Sequence, residues 1–260
     1  MSSKPIGIFD SGVGGLSIWS EIHQLLPMES TIYLSDSKHA PYGPKGKETI
    51  INLSVKNTEW LINQGCKLIV VACNTATTNA IETLRKNYPI PFIGIEPAIK
   101  PAALQSKSKA IGILATKGTL SSQLFHQTSQ LYSSDLLVIE QVGDGIVELI
   151  ENGALYSDEM KHLLHNYLHP MLDAKIDCLV LGCTHYHFLT PILKQLLPNH
   201  VKIIDSGKAV ARQTKAVLEK TKLLSAEIPE KMNRFYTNGE EKVIASLLKT
   251  EIAGITKLKF

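Results

Sequence analysis

The sequence predicts an α/β protein made of two pseudo-symmetric lobes with mainly parallel sheets, and it places the active site in the cleft between them. Three observations lead there. Short apolar runs rich in Ile, Val and Leu alternate with stretches of helical period, the pattern of βαβ units. Two of these runs, VVACNT and LVLGCTH, lead through a small residue into a cysteine followed by an amide or hydroxyl side chain, and the cysteines lie 110 residues apart. A proline-rich stretch, PIPFIGIEPAIKP at 89–101, marks a crossing between lobes, because proline disfavours helix continuation. With a return near Asp205 to Lys208, residues 1–97 plus 208–260 form a first lobe carrying Cys73, and residues 98–207 a second carrying Cys183.

In chain order, strands are predicted at IGIFD (6–10), TIYLSD (31–36), LIVVAC (68–73), PFIGIE (91–96), AIGILAT (110–116), LLVIEQV (136–142), CLVLGC (178–183) and VKIIDS (201–206). Each is a short apolar run of the length that suits a strand buried on both faces. RFYTNG (234–239) and ITKLKF (255–260) are further strands in the C-terminal segment. Leu16, Trp19, Ile22 and Leu26 mark one helical face that Pro27 ends, and Thr75 to Tyr88 carries apolar residues at helical spacing.

The chain has 260 residues, of which 44% are hydrophobic and 20% charged, so disordered and fibrous classes are excluded. A net charge of +3, without a basic stripe interleaved with aromatics, argues against nucleic acid and leaves room for a small anionic substrate. No run reaches the roughly 20 apolar residues needed to span a bilayer. The first strand begins at Ile6, which leaves no room for a secretory leader, so the expected setting is the cytoplasm. There the four cysteines, at 66, 73, 178 and 183, stay reduced.

Chemistry concentrates at the carboxyl ends of the strands, where open α/β sheets bind ligands. FDSGVGGLS at 9–17 is neither a dinucleotide fingerprint nor a P-loop, yet its glycines permit close backbone approach and its free N–H groups suit an anion. Asp10 and Ser11 lie at the strand end. Cys73 opens a helix, whose N-terminal partial charge favours a thiolate, and Asn74 and Thr75 add donors beside it. LGCTHYHFL supplies Cys183, Thr184 and His185 together, with His185 placed to exchange protons with the thiol. Zinc is the rival there, but the stretch has neither the C-x-x-C nor the H-x-x-x-H spacing. His187 reads as a helix-start residue, and Cys66 and Cys178, away from strand carboxyl ends, as packing residues.

SDSKHAPYGPKG at 35–46, with Tyr42 and Gly43, reads as a rigid pocket wall. Thr116 and Thr119 end another strand and could hold a carboxylate or simply cap a helix. Glu148 and Glu151 share a helical face. Two thiols at equivalent strand ends of facing lobes, with no cofactor fingerprint, suit inversion of a carbon centre by one base and one opposed acid. A cysteine hydrolase using Cys183 and His185, and a bilobed binding protein without turnover, are the other readings of the same residues.

FDSGVGG, the APYG loop, ACNTAT and GCTHYHFL occur in an order that closely resembles the glutamate racemase family of the aspartate/glutamate racemase superfamily, from Gly7 to about Ser206. The resemblance implies interconversion of L- and D-glutamate for peptidoglycan, with no cofactor, no metal and a homodimer. It implies acid/base thiols at Cys73 and Cys183, supported by Asp10, His185 and Glu151. Substrate contacts would come from Asp10, Ser11, Tyr42, Gly43, Asn74, Thr75, Thr116, Thr119, Thr184 and His185. Many members carry a Cys-Pro-rich stretch leading into E-x-G, whereas this chain reads EQVGDGIVELIENG there, with Gly143 and Gly145 instead. In some branches an activator site for a cell-wall nucleotide precursor accompanies an N-terminal extension. None precedes the first strand here, so strong activation is not expected.

Overall fold

In the computed structural model, which describes residues 3–132, 135–225, 233–248 and 254–260, every one of the ten predicted strands is present. The first half of the chain runs β1 (Ile6–Asp10), α1 (Leu16–Leu25), β2 (Thr31–Ser35), α2 (Lys47–Asn63), β3 (Leu68–Val71), α3 (Asn74–Asn87), β4 (Phe92–Gly94) and α4 (Ile99–Gln105). It continues through β5 (Ala110–Ala115), α5 (Lys117–Leu120), α6 (Gln123–Tyr132), β6 (Leu137–Val142), α7 (Ile146–Glu151), α8 (Asp158–Asp173) and β7 (Cys178–Gly182). Last come α9 (Thr190–Leu196), β8 (Lys202–Ile204), α10 (Gly207–Lys220), β9 (Asn233–Thr237), α11 (Glu241–Leu247) and β10 (Ile255–Lys257).

The strands form two all-parallel sheets, ordered β10-β9-β2-β1-β3-β4 and β6-β5-β7-β8. The stretch β2-β1-β3-β4 has the same order as β6-β5-β7-β8, which is the duplication that the two cysteine motifs foreshadow. In each sheet the chain first steps one way and then returns to the other side of its starting strand. The crevice at that reversal, between β1 and β3 and between β5 and β7, is where such sheets bind ligands. Cys73 follows β3 and Cys183 follows β7.

Parallel strands are covered by helices on both faces, so Ile6, Ile8, Phe9, Leu68, Ile69, Val70 and Val71 are all fully buried. In α1, Leu16, Ile18, Trp19 and Ile22 are buried as the helical spacing requires. Trp19 packs edge-on against Phe235 with centroids 4.9 Å apart, and its indole N–H donates to Thr31 Oγ1 at 2.9 Å. That contact fastens β9 to the first sheet.

Most strands stop one to three residues sooner than the apolar runs suggest. Their last residues leave the ladder to cap the next helix. Cys73 becomes the N-cap of α3, Thr116 the N-cap of α5, and Asp205 Oδ1 accepts from Gly207 N at 2.8 Å at the start of α10. Among the described residues no helix is long and apolar enough to cross a membrane.

Candidate active site

The segment after β1 builds the near wall. Asp10 is fully buried; its Oδ1 accepts the Gly12 N–H at 2.8 Å and its Oδ2 accepts the Thr184 hydroxyl at 3.0 Å. Burial pushes the Asp10 carboxyl up to about 6, partly opposed by His185 and these hydrogen bonds. The free N–H groups foreseen for an anion do meet one, but it belongs to the protein: Val13 N donates to Glu151 Oε1 at 2.6 Å. Glycine is needed here for room. A Cβ at Gly12 would run into the Glu151 carboxylate, and one at Gly14 into the His185 ring and the Thr184 hydroxyl.

Cys73 lies at the mouth of α3, where its Sγ accepts the Ala76 N–H at 3.4 Å and its thiol donates to Ser11 Oγ at 3.5 Å. The thiolate expected from the helix N-terminus does not follow. Burial, with Asp10 and then Cys183 adding to it, pushes the thiol up to about 12, outweighing the Ser11 and Ala76 hydrogen bonds. Cys73 is therefore a protonated thiol, the acid form.

Cys183 has a different setting. Its Sγ lies 3.8 Å from His185 Nδ1, and His185 Nε2 lies 2.6 Å from Glu151 Oε1. Burial alone would push the imidazole down, but the hydrogen bonds to Cys183 and Glu151 and their charges hold it well above its ordinary value. The sulfur and the carboxylate thus flank the ring from its two nitrogens and together keep a proton on it.

A cluster of buried hydroxyls joins the start of α3 to the start of α5. The hydroxyls of Thr75 and Thr116 are 2.7 Å apart, those of Thr116 and Thr119 are 3.0 Å apart, and all three are buried. Asn74 is 3% exposed, and neither atom of its side-chain amide has a hydrogen-bond partner. Buried amides without partners are rare, and this one stands next to a buried thiol.

The Tyr42 hydroxyl donates to Asp36 Oδ2 at 2.5 Å and accepts from Asn57 Nδ2 at 3.1 Å. Gly43 instead meets Thr116, and a Cβ added to it would stand 2.9 Å from the Thr116 Cβ. His187 is off the site, 3.6 Å from Asp205, and Cys66 and Cys178 pack into hydrophobic core. Ser37, which donates to Glu151 Oε2 at 2.7 Å, and Tyr33, which donates to the Gly12 carbonyl at 2.7 Å, are contributors that sequence reasoning missed. Ser37 lay in a loop already read as a wall, but nothing local pairs it with a residue 114 positions away. Among the described residues, no group of three His, Cys, Asp or Glu side chains stands close enough to hold a metal ion.

Comparison with known proteins adds a family. The sequence model of the Asp/Glu/Hydantoin racemases matches residues 6–214. The glutamate racemase of Ectopseudomonas mendocina is 47% identical over 248 residues, 95% of this chain and 94% of that protein. Among solved structures, glutamate racemase RacE1 from Bacillus anthracis superposes with a TM-score of 0.88 at 30% identity, covering 100% of this chain and 98% of the other. Escherichia coli glutamate racemase, solved in complex with L-glutamate and the activator UDP-MurNAc-ala, gives 0.85 at 33% identity, covering 98% of each chain.

Proposed function

This chain belongs to the Asp/Glu/Hydantoin racemase family and is an isomerase, and from that premise we propose that it interconverts L-glutamate and D-glutamate with two opposed thiols and no cofactor. The reading is carried by one observation: two buried cysteines at corresponding switch points, one held as a thiol beside Asp10, the other backed by His185 and Glu151. In this mechanism the thiolate of one cysteine takes the Cα proton, and the thiol of the other delivers a proton to the opposite face. No atom is gained or lost, and the two sulfurs exchange protonation states at each turnover. Asp10 and His185 carry protons to and from Cys73 and Cys183 as those states reset.

Asn74, Thr75, Thr184 and nearby backbone amides hold the α-carboxylate and ammonium, with Ser11, Gly43, Thr116 and Thr119 completing the contacts. Tyr42 contributes through its backbone, since its hydroxyl is engaged by Asp36. Orientation of this kind supplies on the order of 7 to 11 kcal/mol in favourable intramolecular reactions. Electrostatic stabilisation must do the rest, because an amino acid's α-proton is weakly acidic. The two lobes, 1–97 plus 208–260 and 98–207, close over the substrate. The reading extends to a cytoplasmic enzyme whose D-glutamate feeds peptidoglycan, and to a homodimer, which sedimentation of the purified chain decides.

The test is incubation with L-glutamate in D2O, following optical rotation and α-deuterium together. Loss of rotation with deuterium in the D product supports the mechanism; turnover of aspartate in place of glutamate overturns the substrate. Cys73→Ser and Cys183→Ser each have to lose racemisation, and parental rates in either variant would sink the two-thiol scheme.

A further inference from the structure

We infer that Asp36 is a positioning residue for this reaction: its buried carboxylate grips the Tyr42 hydroxyl and so seats Gly43 against Thr116 and Gly118 at the edge of the cleft. The inference rests on the proposed racemase reading for its kinetic part, and on geometry for the rest. Asp36 directly follows β2 and is 1% exposed, and its own N–H donates to the Asp10 carbonyl at 3.0 Å. A carboxylate so deeply buried is costly unless donors surround it. Here three side chains meet it. Tyr42 Oη donates to Oδ2 at 2.5 Å; Asn238 Nδ2, just beyond β9, donates to Oδ1 at 2.5 Å; His39 Nδ1 lies 2.6 Å from the same oxygen. From α2, Asn57 steadies the Tyr42 hydroxyl from its other side.

The consequence lies one residue further on. Tyr42 is 1% exposed, so anchoring its ring and hydroxyl pins the backbone of the following glycine. A Cβ at Gly118 would stand 2.8 Å from the Gly43 carbonyl and 2.8 Å from Thr75 Cγ2, which puts the 41–46 turn in contact with the start of α5. The Thr116 hydroxyl then meets Thr75, the neighbour of Asn74. A chain of contacts therefore runs from Asp36 through Tyr42, Gly43 and Thr116 to the substrate side of the first thiol. Asp36 touches neither sulfur and acts through Tyr42.

The experiment compares the parent with Asp36→Asn, Tyr42→Phe and the double variant, reading amide hydrogen exchange of residues 40–46 alongside KM and kcat for L-glutamate. Each single variant is expected to speed exchange in that segment about tenfold or more, the scale of losing a charge-assisted hydrogen bond, while β1 and β3 keep parental protection. KM is expected to rise about tenfold with kcat held within about twofold, and the double variant to add little to either single. Additive effects of the two substitutions, unchanged exchange at 40–46, or lowered melting temperature with parental KM would each overturn the inference. An inactive parent sinks the proposed reaction, and the exchange data then decide the Asp36 grip by themselves.

Discussion

The Thr184 hydroxyl donates to Asp10 Oδ2 at 3.0 Å, joining the residue after one cysteine to the carboxylate beside the other. The second half of the site thus bears on the protonation of the first: the charge of His185 lowers Asp10, and Cys183 adds to the burial and the Asp10 charge that raise the Cys73 thiol.

Asp10 makes that arrangement costly. Its folded value of about 6 lies above its ordinary 3.8, so the folded protein binds more protons than the unfolded chain between those values. Stability contributed by this group therefore falls as pH rises from about 4 to 6, and the full cost, about 3 kcal/mol, stands above pH 6. Asp10→Asn keeps an acceptor for the Gly12 N–H, makes the Thr184 hydroxyl accept from Nδ2, and removes the charge. Its melting temperature is expected to exceed the parent's by several degrees at pH 8, with the gap closing toward pH 4, while racemisation drops. Scanning calorimetry across that range checks it; a gap that grows toward low pH contradicts the assignment.

Glu151 makes the opposite contribution. Together with Cys183, and against the effect of burial, it keeps His185 protonated above its ordinary value of 6.5, which stabilises the fold fully below pH 6.5 and is lost as pH rises through the folded value. Glu151→Gln retains an acceptor for His185 and Val13 but no charge. The imidazole titration, followed by NMR, is expected to move down. The parent's advantage in melting temperature should be largest in acid and vanish in base. An unmoved titration would leave the pairing without a chemical role.

Gly12 and Gly14 owe their identity to the second half of the site. Gly12→Ala drives a methyl into the Glu151 carboxylate, and Gly14→Ala drives one into His185 and Thr184. Both loosen the fit of one half-site on the other. Misplacement of about 1 Å is enough to cost on the order of a hundredfold in rate. Steady-state kinetics should show that loss for both variants, whereas Gly46→Ala, where a Cβ meets nothing within 4 Å, should remain near parental. Equal activity in all three would remove the packing explanation.

Those glycines also show where sequence reading stops. The strands were legible because parallel strands buried on both faces are continuous apolar runs, and the two cysteines because strand-to-helix junctions have a local signature. The protonation of Cys73 was not legible. The helix N-terminus is a local feature that favours the thiolate, while burial outweighs it, with Asp10 and then Cys183, 110 positions away, adding to the effect. The direction of the Tyr42 hydroxyl likewise depends on Asp36, whose partner Asn238 lies 202 positions away. Glu151 reaches Val13 across 138 positions, and no spacing rule pairs them.

Asn74 carries the last prediction. Its amide is buried with both polar atoms unpartnered, a condition that costs roughly 1 to 3 kcal/mol per group in a folded protein. Such a cost persists where a ligand repays it, so the residue should oppose stability and favour binding in the same chain. Asn74→Ala removes both unpartnered atoms. The ligand-free variant is expected to melt at or above the parent temperature, while the KM for glutamate rises by about tenfold or more. Glutamate at about 100 times the parent's Kd should stabilise the parent by about 2.7 kcal/mol and a tenfold weaker variant by only about half as much, since ligand stabilisation goes as RT ln(1 + L/Kd), where L is the free ligand concentration. Thermal shift with and without glutamate separates the two effects: a variant that melts lower yet keeps its ligand response would make Asn74 an ordinary packing residue, held by contacts other than those of a substrate.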